Sequence, residues 1–224
     1  MAGLLESLDE QETLERRRHR HWYDRLMMLA DGVFAIAMTF LAIDVGAPPG
    51  WTGDLGALWA HLAPQLDTYA TSFLVISVYW LAHRRFMAMI LAVDAPLTVL
   101  TLIVLGLVAL LPPATRMVSA FGLYPAARLV YATLVVAIGV SMGALWGYAG
   151  LMGKAVSFEV STRLRWFLLA LMIVTPPLFL LAAFALPGQH PSGAVPALLL
   201  ALFLIGWRMR RWTLKRLGAA AHIG

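Results

Sequence analysis

The chain has 224 residues, 61% of them hydrophobic and only 13% charged, with a formal charge of +5 and no cysteine. With a mean hydropathy of +0.78, it carries more apolar surface than a soluble domain of this size can bury, so it belongs among polytopic membrane proteins. The missing cysteines exclude disulfide scaffolds, thiolate metal sites and cysteine nucleophiles.

Residues 1–24 begin acidic and turn basic at Arg16, Arg17, Arg18 and Arg20, a pattern compatible with a short amphipathic helix at a membrane surface. They contain no apolar run of the kind a cleaved secretory signal has. The basic run abuts an apolar stretch, so it reads as a topology signal and not as a nucleic-acid site.

Six apolar stretches follow: about Leu26–Val45, Leu66–His83, Ala95–Leu111, Leu123–Leu151, Trp166–Leu186 and Ala194–Trp207. Pro48, Pro49 and Gly50 stop the first; Trp51 and Trp59 behind them suit a short interfacial helix. Pro112-Pro113 are expected to close the third, and Pro176-Pro177 to kink the fifth. Of the seventeen Lys and Arg residues, fifteen fall at the N-terminus, after the second stretch, between the fourth and fifth, or after the sixth, and only Arg116 and Arg128 fall between. The positive-inside rule then predicts six spans with both termini cytoplasmic. The chain divides into a cytoplasmic segment 1–24, one transmembrane domain 25–212 and a cytoplasmic tail 213–224, with no internal repeat evident.

The first span carries the chemistry. Asp31 is an ionisable group inside an apolar helix, either a functional site or a structural carboxylate neutralised by a partner. On a helical wheel Ile36, Phe40 and Ile43 share a narrow arc, beside a face of small residues formed by Gly32, Ala35, Thr39 and Ala42. The bulky stripe either faces lipid or a neighbouring helix, or meets copies of itself to form a hydrophobic constriction of the kind that gates by dewetting. The second span ends on Tyr79-Trp80-Leu81-Ala82-His83, which puts Tyr79 and His83 four residues apart on one face and at the depth of Asp31. A network of Arg25, Asp31 and His83, with Trp80 or Tyr79 nearby, would satisfy the charges there. His83 alone reads as structural or interfacial, or as a proton relay.

Other motifs carry less. Trp146-Gly147-Tyr148-Ala149-Gly150 lacks the Thr-Val that precedes a carbonyl filter, and Gly139, Gly143 and Gly147 read as a packing face. No H-E-x-x-H or G-x-S-x-G is present, so common hydrolase chemistry has no residues and no enzyme is expected. His61, His190 and His222 are isolated, and no metal site is expected. Asp44 reads as a solvated helix-end residue, attraction of cations to an outer mouth being its other use.

Arg25-x5-Asp31-Gly32-Val33-Phe34-Ala35-Ile36-Ala37-x-Thr39, followed by Tyr79-Trp80-x2-His83, resembles bacterial members of the endolysosomal transmembrane potassium channel family. Leu29-Ala30 stand where that family has Phe-Ser, and Phe40 is bulkier than the aliphatic residue usual at its layer. The resemblance implies an all-α homotetramer in the cell inner (plasma) membrane, each six-span subunit giving its first helix to a central pore without a carbonyl filter. It implies a narrowest ring at Ile36, further layers at Phe40 and Ile43, the Thr39 hydroxyl close by, and an Arg25–Asp31–His83 cluster packing the first two helices together. The implied activity is passive potassium permeation, with K+ as the permeant ion, no cofactor, and no partner beyond the bilayer and the chain itself. The competing reading is a proton channel or proton-coupled transporter built on Asp31 and His83.

Overall fold

The computed structural model describes residues 2–90 and 93–152, and helical positions 163, 165–167, 169, 170, 172 and 174; side chains are described from residue 21 onward. Among the described residues the chain is helical, with no strand. The expected kink at Pro176-Pro177, the sixth span, most of the fifth and the C-terminal tail lie outside the described residues.

Helix α1 is one continuous element, Ala2–Phe40, of 39 residues. No proline interrupts it, and its Leu, Glu, Arg, Ala and Met content favours helix on both the polar and the apolar side of residue 25. The N-terminal segment and the first span therefore share a single rod of roughly 58 Å, nearly twice the ~30 Å of a hydrocarbon core. Beyond Phe40 the backbone tightens to i→i+3 bonds, with Ala42 N on Thr39 O at 3.1 Å, Ile43 N on Phe40 O at 3.2 Å and Val45 N on Ala42 O at 3.2 Å. Such tightening satisfies the carbonyls a helix end leaves open.

The short helix expected after Trp51 is the start of α2, Leu55–Ala88, which continues through the whole second span. Asp54 caps it by accepting from Gly56 N at 2.9 Å, and Pro64 lies inside it. α3 runs Ala95–Ala109 with Asp94 as its cap, accepting from Leu97 N at 3.0 Å. Pro112-Pro113 do not end the third span as expected. They sit in the first turn of α4, Leu111–Phe121, where the missing N–H groups have no helical partner to lose. Only Leu110 separates the two helices, and Ala114 N still bonds Leu110 O across the joint at 3.2 Å. α5, Pro125–Gly147, ends in a π turn at Tyr148–Met152. By length and composition, Ala95–Phe121 and Pro125–Leu151 can each cross a membrane.

α1 packs on α2 and α3, and α5 packs on α3 and α4. The core between them holds Phe34, Ile76, Met87, Leu97, Leu111, Ile138, Met142, Leu145 and Trp146, all fully buried. Trp146 stacks on Phe86 with ring centroids 4.8 Å apart. Its indole N–H, which would be costly to leave unpaired, donates to Arg165 O at 3.0 Å. A buried hydroxyl chain adds directional bonds between helices. Thr115 on α4 donates to Ser72 on α2 at 2.8 Å, and Ser72 shares a 3.0 Å bond with Tyr131 on α5. Nothing in the sequence marks these residues as partners.

Trp146→Ala should lower the thermal midpoint of the detergent-purified protein far more than Thr115→Val. The first opens a cavity costing roughly 3–5 kcal/mol. The second removes a neutral hydrogen bond worth about 1 kcal/mol. A thermal series read by size-exclusion chromatography checks the order, and equal midpoints would refute it.

Candidate functional site

The two faces of α1 have opposite fates. Leu26, Ala30, Phe34, Ala37 and Leu41 are buried against the rest of the chain. Ile36, Phe40 and Ile43 lie on the other side, 55%, 54% and 71% exposed, with no partner among the described residues. The small face is open too: Gly32, Ala35, Thr39 and Ala42 are all exposed. A Cβ built on Gly32 would meet nothing within 4 Å. One apolar strip therefore runs along α1 with neither side chain nor backbone of the described residues against it. Thr39 interrupts its apolar character. Its hydroxyl donates to Ile36 O at 2.9 Å, which commits the proton and leaves the oxygen's lone pairs as acceptors.

Around Asp31 the structure brings some of the expected residues together and keeps others apart. The Trp80 indole N–H donates to Asp31 Oδ1 at 2.8 Å, joining α2 to α1. The Arg84 guanidinium lies over the same indole, 5.5 Å from its centroid, so Trp80 contacts an anion at its edge and a cation at its face. His83 is only 1% exposed. Its ring sits 5.8 Å from that of Phe34, and its Nε2 has no hydrogen-bond partner among the described residues. Tyr79 turns away to α5, where its hydroxyl donates to Val135 O at 2.8 Å. Arg25 is exposed, and among the described residues it forms no ion pair with Asp31. The six-residue spacing explains this, because side chains meet along a helix at three or four residues and not at six.

The far end of α1 is held by residues that the sequence did not single out. Arg116 Nε on α4 lies 3.4 Å from Asp44 Oδ1, so the aspartate read as solvated has a counter-ion. Gly46 N donates to Gln65 Oε1 at 3.2 Å, and Gln65 Nε2 pairs with His61 Nε2 at 2.9 Å. The i, i+4 spacing of His61 and Gln65 was legible as a shared face; their grip on the turn after α1 was not. Among the described residues no cluster of three or more His, Cys, Asp or Glu can hold a metal.

The fold is that of a helical protein with two helices long and apolar enough to cross a membrane, and α1 keeps one face uncovered among the described residues. Known proteins sharpen this. The family model described as endosomal/lysosomal potassium channel TMEM175 matches residues 25–112, from the apolar part of α1 to the start of α4. A relative from Streptomyces collinus, named a potassium channel, is 32% identical over an alignment of 193 positions that covers 77% of this chain and 93% of that protein. The chain belongs to the TMEM175 family. A rat member, named an endosomal/lysosomal proton channel, is 26% identical over 141 residues, 63% of this chain but 27% of that longer protein. The fold is that of a crystal structure from Chamaesiphon minutus, described as a homolog of the lysosomal potassium-selective channel TMEM175. The two superpose with a TM-score of 0.63 over 85% of this chain and 98% of that one, at 24% identity.

Trp80→Phe should destabilise the purified protein by about 1.5 kcal/mol or more, since it leaves the Asp31 carboxylate without its donor. Asp31→Asn keeps an acceptor for the indole and should cost less. Chemical or thermal denaturation of the two variants checks the order, and a costlier Asp31→Asn would show that the charge and not the bond matters.

Proposed function

We propose that the chain is a potassium-permeable channel, a homotetramer of six-span subunits in the plasma membrane with both termini cytoplasmic and α1 lining a central pore. The observation that carries this reading is the apolar strip on α1 that none of the described residues covers. Membrane helices associate through close packing of small residues, and Gly32, Ala35 and Ala42 beside the bulky stripe suit such approach by another copy. Residues 25–212 form the channel domain, residues 1–24 extend α1 into the cytoplasm, and 213–224 follow as a cytoplasmic tail.

In that assembly Ile36 forms the narrowest ring, with Phe40 and Ile43 as further apolar layers. An apolar ring offers an ion nothing in exchange for its water, so passage costs dehydration and the constriction gates by wetting. Potassium, larger and less strongly hydrated than sodium, loses less. Thr39 lies one helical turn from Ile36, and its acceptor oxygen is the nearest polar group on the strip able to face a partly dehydrated cation. No cofactor takes part; K+ is the permeant ion. The Asp31–Trp80 bond serves packing between α1 and α2, with Arg84 stacked on the indole, and neither takes part in conduction.

A second reading, proton permeation through Asp31 and His83, has two observations in its favour: the rat relative is named a proton channel, and the Nε2 of buried His83 has no hydrogen-bond partner among the described residues. The buried polar residues of α2, Thr68, Thr71 and Ser72, give it little to connect to. Between Ser72 and Tyr79 lie the buried apolar Val75 and Ile76, and Tyr79 spends its proton on the Val135 carbonyl.

Proteoliposomes holding the purified chain, loaded with K+ and diluted into Na+, should take up protons only when a protonophore is added. Ile36→Ala should change the rate several-fold, and Thr39→Val should slow K+ efflux while Thr39→Ser preserves it. Uptake without the protonophore, indifferent to Ile36 and lost in Asp31→Asn, would replace the potassium channel with the proton path.

A further inference from the structure

The Asp44–Arg116 pair sits where the apolar strip of α1 ends. Asp44 follows Ile43 directly, in the tightened turn that closes the helix. Arg116 reaches it from α4, a helix that contributes nothing to the strip. The contact is single-pronged, Nε to Oδ1 at 3.4 Å, and wet, with the side chains 74% and 37% exposed. A cleft with about 20 Å³ of room, its lining including Asp44, Gln65, Thr68, Thr115 and Arg116 beside apolar Leu41 and Val45, opens beside it, space enough for about one water. An exposed pair of this kind contributes little to stability. Its consequence is electrical: it converts a carboxylate at the end of the strip into a short dipole.

We propose that Arg116 sets the cation concentration at the outer mouth of the pore by screening Asp44. The inference rests on the tetrameric channel reading above, which brings this pair to the mouth in every subunit. The outer segments carry Asp44, Asp54 and Asp67 against Arg116 and Arg128, so each subunit has a small net negative charge there. Loss of Arg116 doubles it, and the symmetry multiplies the change around one axis. A narrow mouth with low-dielectric walls focuses such a field. A unit charge some ~8 Å from an ion in water changes the ion's local concentration roughly twofold, and several copies act together.

Single-channel K+ currents of the full chain in planar bilayers test this, at about 0.01 M and about 1 M salt, where the Debye length is ~30 Å and ~3 Å. Arg116→Gln should raise the low-salt current roughly twofold or more, and Mg2+ added on the outer side should block it at lower concentration than it blocks the native chain. Asp44→Asn should lower the low-salt current, and the double variant should return near the native value. All four proteins should converge at high salt. A merely structural contact would lower the current in both single variants. If the native chain conducts and Arg116→Gln matches it at low salt, or if the rise survives at high salt or in the double variant, Arg116 does not govern the mouth. If the native chain carries no K+ current at all, the channel reading itself fails, and this inference with it.

Discussion

The fold depends on a helix that must satisfy two different surroundings at once. One face of α1 presents Ala30, Phe34, Ala37 and Leu41 to its own bundle, where Phe34 is fully buried against His83. The opposite face presents Ile36, Phe40 and Ile43 to nothing among the described residues. In lipid an apolar side chain gains little merely by leaving the solvent, so packing and polar bonds decide which face turns inward. The small residues Ala30 and Ala37 let α1 approach its neighbours on one side, and Gly32, Ala35 and Ala42 leave room for approach on the other.

Polar contacts fix the orientation of α1 at both ends of its apolar part. At one end the Trp80 indole holds Asp31 at 2.8 Å. At the other, Arg116 pairs with Asp44, and Gln65 takes the Gly46 amide. These contacts come from α2 at both ends and from α4 at one, and the Trp80–Asp31 bond is the one a rotation of α1 would break at most cost, the exposed Asp44–Arg116 pair adding little stability. Within the bundle, the chain Thr115–Ser72–Tyr131 joins α4, α2 and α5 at buried positions. Each hydroxyl there is bonded, which keeps the desolvation cost of a polar group in an apolar interior from being incurred.

Prolines shape the helices in a way that position and not identity decides. Pro112 and Pro113 begin a helix, because in a first turn the absent N–H costs nothing. Pro64 lies well inside α2, where it does remove a helical donor, and Thr68 Oγ1 donates to the carbonyl of Pro64 at 2.9 Å one turn later. The sequence displays all three residues alike. What separates them is where each helix starts, and that is set by packing partners far along the chain.

Composition and periodicity alone determined that the chain is a helical membrane protein, that the first apolar helix has a bulky stripe beside a small-residue face, and that an aspartate lies within it. These are local properties: helix propensity, the 3.6-residue repeat and the cost of a charge in lipid all act within a few turns. The resemblance in residues 25–39 and 79–83 pointed to the family for the same reason, since both motifs are short and contiguous. Only the tertiary structure decided that Trp80 and not Arg25 holds Asp31, that Tyr79 leaves its i+4 neighbour His83 for α5, and that Asp44 has Arg116 as its counter-ion. Those choices join residues dozens of positions apart. They depend on the relative rotation and depth of whole helices, which is fixed by the fit of many side chains at once and leaves no periodic trace in any one of them.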